Sequence, residues 1–148
     1  MNAFAELALV AGLSIAAAGG TYLVRGAPSR QVVCDPADLK PDEICLADVK
    51  EPVVWIDARS RSAWEKDGLE NSLLWNIDPS EDMQAFEAGA VMAIMENPNV
   101  VVYCDDENCG ISRQVAEQVR GLGLGAEVKV LRGGWRALEE AGRIRGSN

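Results

Sequence analysis

The chain contains no histidine in its 148 residues. It therefore has no Cys–His or Ser–His pair of its own with which to activate a nucleophile. It also lacks the commonest transition-metal ligand. Positive charge is scarce as well: 14 Lys and Arg stand against 23 Asp and Glu, for a net charge of −9. Nucleic-acid binders present a basic face, so charge argues against that partner class and, less strongly, against an anionic membrane surface. The cysteines are Cys34, Cys45, Cys104 and Cys109, and no two have the close Cys-x-x-Cys spacing of a zinc knuckle or a thioredoxin-type motif. A four-cysteine zinc site would consume Cys104 and Cys109 as reactive groups, and no metal or organic cofactor is expected. Chemistry must then rest on thiols, carboxylates, arginines and backbone dipoles.

What is present is ordinary globular composition, 48% hydrophobic and 25% charged, enough for one domain and an appendage. Leu7 to Val24 is an uncharged run of 18 residues, close to the roughly 20 needed to span a bilayer. A single transmembrane anchor and a cleaved signal peptide, with Ala16-Ala17-Ala18 as its cleavage site, both fit. The absence of Lys or Arg before Arg25 favours the anchor. Residues 1–25 are thus read as anchor or signal, 26–30 as linker, 31–142 as the folded domain and 143–148 as a polar, frayed tail. Arg25 and Arg30 follow the apolar run, which places the domain in the cytoplasm by the positive-inside rule. An oxidising, extracytoplasmic location stays open because of the cysteines.

Strand and helix patterns alternate along the domain. Gln31 to Cys34 reads as a short strand and Asp42 to Val49 as a short helix. Val53 to Ile56 is an apolar strand, followed by a helix that Ser60 caps and that runs to about Lys66. Leu73 to Trp75 is a strand. Ser80 opens a long helix with Phe86, Ala90 and Ile94 on one face, and Asn97-Pro98 closes it. Val100 to Tyr103 is a buried strand, with a helix over Gln114 to Gly121 after it. Glu127 to Leu131 is the last strand, and a terminal helix ends near Gly142. This alternation predicts an α/β fold with a mainly parallel central sheet and helices on both faces, preceded by the transmembrane helix. Cys34 and Cys45 are read as small buried residues, with a Cys34–Cys45 disulfide open only in an oxidising compartment.

Cys104 ends the buried strand, and ligands of such sheets bind at the strands' carboxyl ends. Asp105, Asp106, Glu107, Asn108, Cys109, Gly110, Ile111 and Ser112 follow it as a loop running into a helix. Backbone N–H groups and the helix dipole favour a thiolate there, whereas the three carboxylates oppose it.

Four blocks in order resemble the rhodanese-like sulfurtransferase domains: Val53-Val54-Trp55-Ile56-Asp57-Ala58-Arg59-Ser60, Asp67 to Ile77, the Cys104 loop, and Val130-Leu131-Arg132-Gly133-Gly134-Trp135. The resemblance implies a sulfurtransferase in which Cys104 takes sulfane sulfur from a donor, holds it as a persulfide and passes it to a thiol acceptor. Asp57 and Arg59 would lie near the site, most simply as a pair holding the loop together, and Leu69 stands where the family commonly has His. Arg113 either orients a donor or neutralises Asp105 and Asp106. With so many carboxylates in the loop, thiosulfate is a poor donor, and a protein persulfide, a small persulfide or polysulfide fits better. Cys109 is either a packing residue or a resolving thiol that makes the domain a thiol–disulfide redox or sensor protein. A catalytically silent binding module is the remaining alternative. The phosphatases and arsenate reductases of this fold resemble a Cys, five residues, then Arg, usually after a His. Here Tyr103 precedes Cys104 and Gly110 occupies the Arg position, so phosphoryl transfer is not expected.

Overall fold

The computed structural model describes residues 32–105 and 110–144. The anchor and linker expected over residues 1–30 lie outside them. Among the described residues no helix is long and apolar enough to cross a membrane.

Among the described residues five strands form one wholly parallel sheet: β1 (Glu43–Ile44), β2 (Val54–Asp57), β3 (Leu73–Leu74), β4 (Asn99–Tyr103) and β5 (Glu127–Leu131), in spatial order β1-β5-β4-β2-β3. The helices are α1 (Arg61–Asp67), α2 (Met83–Glu96), α3 (Gly110–Gly121) and α4 (Gly134–Glu140). Alternation along the strands sorts the core into two layers. Ile56, Val100, Val102, Val128 and Val130 meet Phe86, Ala90 and Ile94 of α2 and Val115, Ala116 and Val119 of α3. On the other face Trp55, Val101, Tyr103 and Leu131 meet Leu138 of α4, Leu69 and Ile144. The parallel sheet with helices on both faces is as expected.

Local chemistry accounts for the helix ends. The Ser60 hydroxyl accepts from Ala63 N at the start of α1, and Asp82 accepts from Gln84 N and Ala85 N at the start of α2. The start of α2 falls later than the expected Ser80 because Asp78 Oδ1 takes the Ser80 N–H and hydroxyl into a turn of its own.

The opening segment differs more. Val32 to Cys34 forms no strand, and Asp42 to Val49 is not a helix. It holds β1, paired to β5 by Val130 N to Asp42 O (2.7 Å) and Arg132 N to Ile44 O (2.9 Å), then a single 3-10 turn at Leu46–Asp48. A free edge on β5 offers ladder bonds that outweigh a weak local helical preference. Cys34 and Cys45 are not free packing residues: they form a disulfide, with Cα atoms 5.7 Å apart.

Chain order explains the site. From β2 the chain moves outward to β3, then crosses back to lay β4 on the other side of β2. The strand order reverses between β2 and β4, which opens a crevice at their carboxyl ends.

Candidate active site

The residues after β2 and β4 line that crevice: Ala58, Arg59 and Ser60 on one side, Cys104, Asp105 and Ile111 on the other, with Asn76, Ile77 and Asp78 closing it. Its volume is about 440 Å³. A second cavity of about 390 Å³ lies at the amino-terminal ends of the strands, between Val53, Asn99 and Glu127. It holds no thiol, so the chemistry belongs to the first.

Cys104 is 2% exposed. Its carbonyl accepts from Trp135 N at 2.6 Å, so the glycine turn before α4 clamps the end of β4. Gly133 makes that turn possible: its φ is +79°, and a Cβ there would fall 2.3 Å from Val32 Cγ1. Cys104 Sγ lies 3.6 Å from the Ser112 hydroxyl in the first turn of α3. The sulfur is disulfide-bonded in this structure, so it carries no hydrogen and the hydroxyl is the donor of that contact.

Arg59 and Asp57 form a buried pair on the facing side of the cleft. Asp57 is wholly buried and accepts from Arg59 N (2.9 Å), Nε (3.1 and 3.2 Å) and Nη2 (2.8 Å). Arg59 Nη1 reaches Asp67 at 2.8 Å and lies 3.9 Å from Asp105. Its guanidinium sits 5.8 Å from the Tyr103 ring centroid and 5.3 Å from that of Trp135. Burial alone lowers the Arg59 pKa, but the hydrogen bonds and charge of Asp57, with help from Asp67, raise it above the ordinary arginine value. Burial, and next the charge of Asp57, likewise hold the Tyr103 phenol well above its usual range. That hydroxyl accepts from Leu69 N (3.0 Å) and meets Ser72 Oγ at 3.3 Å.

The sequence-derived site residues thus divide. Cys104, Asp105, Ile111 and Arg59 meet at the cleft, with Ser112 against the sulfur, Gly110 opening α3 and Asp57 behind Arg59. Asp106, Glu107, Asn108 and Cys109 lie outside the described residues. Arg113 is turned to Glu43 of β1, not to Asp105. Glu43 also takes Arg132 Nη1 at 3.3 Å and the Lys40 N–H at 3.1 Å. Burial pushes the Glu43 carboxyl up, but the Lys40 N–H together with the Arg113 and Arg132 contacts outweighs it and leaves the pKa lowered.

Sequence reasoning missed Ser60, Asn76 and Asp78 on the cleft wall and Asp67 as the third member of the Arg59 cluster. Their signal was position: Ser60, Asn76 and Asp78 follow the carboxyl ends of β2 and β3, and Asp67 closes α1. Asn76 Oδ1 accepts from Asp78 N (3.0 Å), whereas its buried Nδ2 has no partner at hydrogen-bonding distance. Asn76 nonetheless adds a little to the lowering of the Glu81 pKa, which Arg61 dominates. Among the described residues no three His, Cys, Asp or Glu side chains converge as a metal site.

Residues 44–141 match the model of a family described as the rhodanese-like domain. Among solved structures, the BH2092 protein of Bacillus halodurans is 21% identical with a TM-score of 0.54, over 70% of this chain and 76% of that one. RPA3614 of Rhodopseudomonas palustris CGA009, a protein of unknown function described as a possible tyrosine phosphatase, is 26% identical with a TM-score of 0.41, over 62% and 68%. The first likeness is one of fold, and the second is too loose to bear on function. No curated protein matches the chain.

Proposed function

Because this chain belongs to the rhodanese-like domain family, we propose that it transfers sulfane sulfur through a persulfide on Cys104. One observation supports this above the others: Cys104 directly follows β4 at the point where strand order reverses, opening on a cleft against the first turn of α3. The Cys104 thiolate attacks the outer sulfur of a donor R–S–SH. The S–S bond breaks, R–SH leaves, and Cys104 keeps the sulfur as a persulfide. An acceptor thiolate then attacks that outer sulfur and returns the Cys104 thiolate. The Ser112 hydroxyl and the first N–H groups of α3 favour negative charge on sulfur at both stages.

Charge argues for the donor class. Among the described residues the one cation lining the cleft is Arg59, already committed to Asp57 and Asp67, while Asp78 and Asp105 line the same cleft. A thiosulfate dianion finds no unpaired positive charge there, so small persulfides, polysulfides or a protein persulfide are the better donors. Steady-state transfer from cysteine persulfide to an acceptor thiol tests the reading in the reduced full chain. Ping-pong kinetics lost in Cys104→Ser are expected, and transfer that survives that substitution defeats it.

A second reading, thiol–disulfide redox, is favoured by the disulfide on Cys104. Cys109, five residues on, is the second thiol that such a redox cycle would use. A domain that neither takes up sulfur nor cycles this disulfide is a binding module. The Cys34–Cys45 disulfide supports an oxidising compartment for the domain, against the cytoplasmic side suggested by Arg25 and Arg30. The run from Leu7 to Val24 supports attachment to a membrane. Protease added to cells stripped of outer layers should digest the domain, and full protection would return it to the cytoplasm.

A further inference from the structure

We propose that the Cys34–Cys45 disulfide is a redox site that sets the reactivity of Cys104 through β1 and its Glu43. The inference rests on the reading of Cys104 as the reacting thiol. The disulfide closes the segment that carries β1: Cys45 directly follows Ile44, and Cys34 lies 11 residues back. β1 is an edge strand of two residues whose ladder runs to β5 alone. So short an edge strand has little pairing energy of its own, and the covalent loop is what keeps the unfolded alternatives of residues 34–45 few.

That segment delivers one functional group. Glu43, 6% exposed, takes Arg113 from α3 and Arg132 from the turn after β5. Arg113 adjoins Ser112, whose hydroxyl contacts the Cys104 sulfur. The buried carboxylate therefore ties the first turn of the helix that faces the sulfur to an edge strand held by the disulfide. When the disulfide opens, β1 frays. Glu43 is then no longer held where Arg113, Arg132 and the Lys40 N–H converge on its carboxylate, and the first turn of α3 loses its tie. Fewer ordered N–H groups face Cys104, and its thiolate is less favoured.

The opening reaction is ordinary exchange. A protein dithiol attacks one sulfur of the Cys34–Cys45 bond, forming a mixed disulfide. Its second thiol displaces the remaining cysteine. Two electrons and two protons pass to Cys34 and Cys45, and the partner leaves as its own disulfide. Cys34 is partly exposed and Cys45 is buried, so attack falls on the Cys34 sulfur.

A cysteine-limited comparison tests this. In the full chain bearing Cys109→Ser, oxidised so that Cys34–Cys45 is closed, Cys104 is the sole thiol. It remains the sole thiol in Cys34→Ser/Cys45→Ser/Cys109→Ser. The charges around it, Asp105 and the Arg59 that Asp105 faces, are the same in both. The rate of Cys104 alkylation by iodoacetamide is followed against pH. Without the disulfide, the rate at neutral pH should fall about threefold as the profile moves up by about half a pH unit, while the limiting rate at high pH stays. Glu43→Gln in the Cys109→Ser chain should reproduce the shift and add little in the disulfide-free chain. Unchanged or downward-shifted profiles overturn the proposal. Sulfur transfer is not measured here, so a failure of the sulfurtransferase reading leaves this result separately readable.

Discussion

Replacing Arg59 by methionine isolates what the buried ion pair does. Asp57 has no solvent contact, and apart from the Arg59 backbone N–H every donor in the described hydrogen bonds of its carboxylate is on the Arg59 guanidinium. Methionine fills much of the same volume but leaves the carboxylate unpaired. Removing one partner of such a pair costs about 3–5 kcal/mol, and losing the cation beside the Tyr103 and Trp135 rings adds about 0.5–2 kcal/mol. Against a total stability of about 5–15 kcal/mol for a domain this size, that is about a quarter or more. With a urea dependence of about 1–3 kcal/mol per molar, the unfolding midpoint should fall by about 1 M or more. Asp57→Asn/Arg59→Met removes both charges and should lose clearly less than the sum of the two single changes. A loss under about 1 kcal/mol for Arg59→Met, or strict additivity in the cycle, would refute a structural role for this pair.

Other substitutions probe the supports around the thiol. Tyr103→Phe strands the buried Leu69 N–H and should cost about 1–3 kcal/mol in urea unfolding; a cost under a few tenths would mean that the N–H finds another acceptor. Gly133→Ala forces an L side chain to positive φ and into Val32. It should cost about 1–2 kcal/mol from the backbone alone, seen as a lowered melting midpoint. The lowered Glu43 pKa gives a pH signature: its stabilisation is complete above the ordinary glutamate value of 4.5 and drains away as pH falls through the lower folded value. Melting points between about pH 5 and 3 should therefore fall more steeply in the parent than in Glu43→Gln, and parallel curves would count against the clamp.

Where a residue's role depends on near neighbours in sequence, the chain announces it. β4 is visible as a short apolar run of valines, β5 as an alternation of charged and apolar residues, and the Phe86, Ala90, Ile94 stripe marks α2. Ser60 signals its helix directly. Cys104 was found because a buried strand stops on it. What stayed hidden was non-local. β1 exists because β5 has an open edge, not because Glu43-Ile44 favours extension. Glu43 meets Arg113 and Arg132 from 70 and 89 residues away. Cys34 and Cys45 have a spacing that fits a packing role as well as a bond, and only the fold sets them 5.7 Å apart. Asp67 lies just past the expected helix end at Lys66, and its role appears once Arg59 is seen reaching across to it.

The most direct test of the central claim is the intact mass of the reduced full chain after exposure to cysteine persulfide, followed by peptide mapping. The account predicts the mass of one added sulfur atom, located on Cys104, removed by an acceptor thiol and absent in Cys104→Ser. An unchanged mass with every sulfane donor, or sulfur that remains in Cys104→Ser, would contradict it.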